Sequence, residues 1–106
     1  MAWIYLVTAG LLEVVWSYAM KQSHGFSRPW PTAIMAVTMA GSVGLLALSM
    51  RTLPLGTAYT IWTGIGAVGA FVLGVVALGE EASPARIVAA LLIVSGLVTM
   101  KLASPQ

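Results

Sequence analysis

Glu13 is the one acidic residue deep inside a long apolar run, with Gly10 three residues before it, Trp16 three after and Ser17 four after. At helical spacing Gly10, Glu13 and Ser17 share one stripe, and Trp16 stands one turn from the acid. A carboxylate in the middle of a membrane span costs about 2.5–3.5 kcal/mol on insertion scales, so such a residue faces a cavity or a partner rather than lipid. The chemistry it offers is that of a two-way binder. Burial favours the neutral acid and a bound cation favours the carboxylate, so proton and cation compete for one group. Exposed alternately to the two sides of a membrane, that group would exchange protons moving inward for a cation moving outward. The plainer alternative is a neutral acid that glues two helices together through a hydrogen bond.

Two other segments carry residues suited to the same site. Thr38, Ser42 and Ser49 fall on one stripe. Ser49 is expected to satisfy its hydroxyl on its own backbone, whereas Ser42, near mid-span, is placed to reach Glu13 and orient it. Further on, Tyr59, Trp62, Gly66 and Gly69 lie on one face, half aromatic and half bare. Aromatic faces attract cations, more strongly when dry, so Tyr59 and Trp62 read as a binding wall. Trp3 and Trp30 read as interfacial anchors. The Gly64-Ile65-Gly66 run allows either a bend or close packing.

The elements that must hold these residues follow from composition. Of 106 residues 59% are hydrophobic and 8% charged, with a mean hydropathy of +0.97, too apolar to cover a water-soluble surface. A span takes about 20 apolar residues. Charges and prolines mark off four segments, at about 3–20, 30–50, 55–79 and 85–103, which makes an all-α membrane protein with a single transmembrane domain over 1–106. Met1-Ala2-Trp3 carries no side-chain charge and the first segment contains Glu13, so that segment reads as a retained helix and not a signal peptide. There is no cysteine, and hence no disulfide, thiolate metal site or thiol nucleophile. No cofactor or metal is implied. A net charge of +2 is too small to point to nucleic acid.

With four spans, Arg51 and Lys101 share one side of the membrane, and Lys21, Arg28 and Arg86 the other. That is a weak bias by the positive-inside rule, compatible with insertion both ways. A four-helix bundle fills its own interior with side chains, so transport would need at least a dimer. Two oppositely inserted copies would supply the inverted symmetry that larger transporters carry within one chain. In the fourth segment Ala89 and Gly96, flanked by Ala85 and Thr99, form a small-residue seam for helix association. His24 reads as a solvated loop residue, and Glu80 and Glu81 as acids favouring the start of the fourth helix.

These residues together resemble the small multidrug resistance family over essentially the whole length. The resemblance is carried by Glu13 in the first span, Lys21 with the Gly25-Phe26-Ser27-Arg28 turn after it, and the run from Gly56 to Gly66 opening the third. Glu13-Val14-Val15-Trp16, Met39 and Ser42 are similar to the guanidinium-exporting branch in particular. His24 and Tyr18 depart from the residues usual at their positions. The resemblance implies an antiparallel, dual-topology homodimer in the bacterial inner membrane that exchanges protons for guanidinium. Glu13 would bind proton or substrate, Trp16, Tyr59 and Trp62 would line the site, Ser42 would support Glu13, and Gly10 would permit close packing.

Two other functions compete. One is export of hydrophobic quaternary ammonium compounds through the same glutamate and a broader pocket. The other is a non-transporting structural subunit of a membrane assembly. An enzyme is not expected, because the sequence offers no nucleophile–base pair, metal cluster or phosphate-cradling loop.

Overall fold

The computed structural model describes residues 1–103; the last three residues of the expected 1–106 domain lie outside the described residues. Four helices follow one another, α1 (Ala2–Gln22), α2 (Pro29–Ser49), α3 (Leu55–Leu78) and α4 (Pro84–Ala103). All four are long and apolar enough to cross a membrane. Prolines stand where a helix tolerates them. Pro29 and Pro84 open α2 and α4, and Pro54 precedes α3 with an extended backbone.

The connections are short and internally bonded. Between α1 and α2, His24, Gly25 and Phe26 all take left-handed φ values of 49°, 72° and 69°. Only the glycine does so freely. The buried Ser23 holds the other two in place: its hydroxyl accepts the Phe26 N–H at 3.1 Å, and its carbonyl accepts those of Ser27 at 2.9 Å and Arg28 at 3.1 Å. His24 is exposed, as a loop histidine should be. α3 ends on Gly79 at φ 68°, after which the Glu80 N–H returns to the Gly74 carbonyl at 3.0 Å.

The expected closed bundle does not form. α1 packs along both α2 and α3, α2 and α3 scarcely touch, and α4 packs on α3 alone. The helices therefore stand in a row, α2, α1, α3, α4, and the protomer is a slab of 43 × 34 × 16 Å. At the usual spacing of about 8–10 Å between axes, four helices side by side account for the width and leave a layer one helix thick. Among the described residues a slab one helix thick encloses no gated chamber.

The core sits at one end. Leu6 and Ala9 of α1, Leu46 of α2, Ala58 and Ile61 of α3 and Leu53 in the connection form a buried cluster at the end that carries residues 50–54. α4 has no buried residue at all.

Candidate functional site

Glu13 stands at the middle of α1, and what it meets is decided by a missing side chain. A Cβ at Gly66 of α3 would fall on the Glu13 carboxyl. One turn earlier, a Cβ at Gly10 would come within 2.7 Å of Ile65. One turn later, a Cβ at Gly69 would strike Val14. Bare positions on both helices thus let α1 and α3 approach closely where the acid lies. Glu13 Oε1 is buried and has no hydrogen-bond partner among the described residues, and the same holds for the indole N–H of Trp16 one turn away. Unpaired buried polar atoms are rare in folded proteins and costly. The Trp3 indole N–H, near the core end of α1, is buried without a partner in the same way.

Ser42 is completely buried, but it does not bond to Glu13 as the sequence led us to expect. Its hydroxyl donates to the Ala9 carbonyl at 2.6 Å and accepts the indole N–H of Trp62 at 3.0 Å. The reason is local. The Ala9 carbonyl is the one that accepts the backbone N–H of Glu13 in the helical ladder, four residues on, and it lies against α2. Ser42 therefore braces the turn that carries Glu13 through its main chain. Trp62 in turn meets Tyr59, with ring centroids 5.5 Å apart and planes tilted by 48°. α2, α1 and α3 are in this way tied by one chain of contacts, Ala9–Ser42–Trp62–Tyr59.

The remaining expectations fall out unevenly. Ser49 bonds its own helix at Leu46, and Thr38 does so at Ile34. Trp30 is exposed, but Trp3 is partly buried against the core with the Lys101 ammonium 4.5 Å from its ring centre. Ala89 and Gly96 lie exposed on α4, and a Cβ at Gly96 would meet nothing within 4 Å. The Gly64–Gly66 run serves close packing, since α3 continues through it unbroken and a Cβ at Gly64 would fall on Leu97 of α4.

Glu80 behaves differently from its sequence reading. The hydroxyl of Ser83, not an acid, accepts the Arg86 N–H at the start of α4, at 3.3 Å. The Glu80 carboxyl instead folds back on Gly74 of α3 and lies 3.9 Å from the Arg86 guanidinium. Gly66 is the contact that sequence reasoning underweighted. Its place on the Tyr59–Trp62 stripe was visible, but which side chain would fill the gap was not.

Four helices long and apolar enough to span, with a carboxyl at the middle of the first, define a multi-pass membrane protein. The chain belongs to the small multidrug resistance family, whose description, Small Multidrug Resistance protein, matches residues 1–93. It is 61% identical over 104 residues to a protein named guanidinium exporter from Yersinia pseudotuberculosis serotype I (strain IP32953), covering 98% of this chain and 100% of that one. Proteins of the same name from Salmonella typhimurium (strain LT2) and Citrobacter freundii are 55% and 53% identical, over 98% of this chain and 99% of theirs. Those names describe export, which sets the chain among transport proteins rather than enzymes.

Proposed function

We propose that this protein exports guanidinium and small guanidinyl cations in exchange for protons, with both competing for Glu13. The observation that carries this reading is the buried Glu13 oxygen without a protein partner, set beside an equally unpartnered Trp16 N–H. Guanidinium is planar, with donors all round its rim, and a carboxylate pairs with such a fork bidentately. Its flat face suits the Tyr59 and Trp62 rings. When a proton takes the carboxyl, the charge that holds the cation is gone, so the two ligands leave and arrive in turn.

The working unit in this reading is an antiparallel homodimer of oppositely inserted copies in the bacterial inner membrane. It is supported by the one-helix-thick slab and by α4, which buries nothing within the protomer and presents Ala89 and Gly96 outward. Solid-supported-membrane currents from purified protein in proteoliposomes test the reading. With one Glu13 from each copy, two protons returning for each guanidinium move net charge, so guanidinium should evoke current that grows with the proton gradient and is lost in Glu13→Gln. Currents evoked only by a bulky aromatic quaternary ammonium would reassign the substrate, and undiminished guanidinium current in Glu13→Gln would end the mechanism.

A further inference from the structure

The end of the slab opposite the buried core holds a cavity of about 340 Å³ between α1 and α3. Its inner end is at Ser17, one turn past Glu13 on the same stripe, and at Ala67, the residue after the glycine that admits the Glu13 carboxyl. Its α3 wall mixes the small Ala70 and Gly74 with the larger Phe71, Leu73 and Leu78. At the outer rim stand Lys21, Arg86 and Glu80. The other end is plugged by Leu6, Leu46, Leu53 and Ile61. The mouth thus carries two positive groups and one negative.

Glu80 is the only acid lining that mouth, and it is held there by several contacts. Its N–H returns to Gly74, and its carboxyl lies where a Cβ on Gly74 would meet it at 2.5 Å. Arg86 is kept beside it, since its Nη1 donates to the Glu81 carbonyl at 2.9 Å and its guanidinium lies 5.4 Å from the centre of the Phe71 ring. As an acid at the C-terminal end of α3, Glu80 stands where the helix dipole disfavours it. The Arg86 guanidinium 3.9 Å away partly offsets that penalty.

We infer that Glu80 sets the rate of cation entry through this mouth by offsetting Lys21 and Arg86, and so acts on cation capture at a place distinct from the Glu13 site. The inference rests on the proposed cation exchange. Glu80 and Arg86 are 42% and 46% exposed, so they act through water. One unit charge about 5–10 Å from the path then changes local cation concentration about two- to fourfold at low salt, and at about 0.5 M salt screening removes most of that. The effect belongs to capture, not to the exchange step at Glu13.

The test is a guanidinium titration of membrane currents in phosphatidylcholine proteoliposomes, at about 10 mM and about 500 mM potassium chloride. Glu80→Gln should lower kcat/KM about two- to fourfold at low salt with maximal current unchanged, and Lys21→Gln should raise it by a similar factor. Both should return to wild type at high salt. Changes of the same sign in the two variants, a change indifferent to salt, or no change would overturn the inference. Should Glu80→Gln not assemble, Glu80→Ser takes its place, a salt-sensitive loss of kcat/KM supporting the inference and no loss overturning it. A wild-type protein that moves another cation but not guanidinium defeats the substrate assignment only, and the same comparison is then read with that cation. A wild-type protein that moves no cation overturns both.

Discussion

Glu13 and Glu80 both press a carboxyl against a glycine of α3, Gly66 for one and Gly74 two turns later for the other. They share that contact and little else. Glu13 is set in mid-span with an oxygen that no protein donor reaches, whereas Glu80 lies half in water beside Arg86. The pair separates two uses of an acid on one helix face. In the proposed exchange, the carboxyl denied a partner inside the membrane takes the transient ligand, and the one given a partner at the surface shapes the field that the ligand crosses.

The sharpest way to break that comparison is to neutralise each acid in turn. Glu13→Gln should weaken guanidinium binding by on the order of 100-fold or more, the usual scale for removing one member of a buried charge pair, whereas the Glu80 variant should leave saturating current intact. Equal losses in the two would erase the distinction. Next in size is the response to pH. Because a protonated carboxyl cannot hold the cation, affinity must fall as pH falls, approaching about tenfold per unit where the neutral acid dominates. Tryptophan-fluorescence titration of guanidinium across a pH series would record it, and the slope should vanish in Glu13→Gln.

Methyl groups make a finer probe. Gly66→Ala gains about 0.8–1 kcal/mol of helix propensity but forces a carbon onto the Glu13 carboxyl, and such overpacking costs about 1–3 kcal/mol. Transport should drop about tenfold while circular dichroism stays helical. Gly74→Ala meets the far end of a half-exposed side chain, which can shift without leaving the mouth, and should cost less than about threefold. Between these two falls Ser42→Ala, which strands the Trp62 N–H at about 1–3 kcal/mol. It should lower the thermal midpoint and blunt guanidinium affinity only about fivefold.

The four helices were legible because apolar runs, prolines and charges mark their ends locally. Their arrangement in a row was not, since the sequence of α4 says that it is apolar and small-sided without saying that α3 alone supports it. Glu13, Trp62 and Tyr59 stood out through residue type and helical spacing. The role of Ser42 was misread in detail because mid-span depth identifies a neighbour only to within a turn. The choice between the Glu13 carboxyl and the Ala9 carbonyl depends on helix rotation, which spacing does not fix. Glu80 was read through a rule about helix starts, and the turn at Gly79 sent it the other way.

Gly64 and Gly66 are two positions apart in α3 and so point to nearly opposite sides, one receiving Leu97 of α4 and the other the carboxyl of Glu13. Only the thickness of a polypeptide backbone lies between them. A side chain in that gap could absorb a push by rotating about its own bonds, but main chain yields only by carrying its helix along. Whatever displaces the carboxyl therefore leans on the same short stretch of spine on which the outermost helix rests.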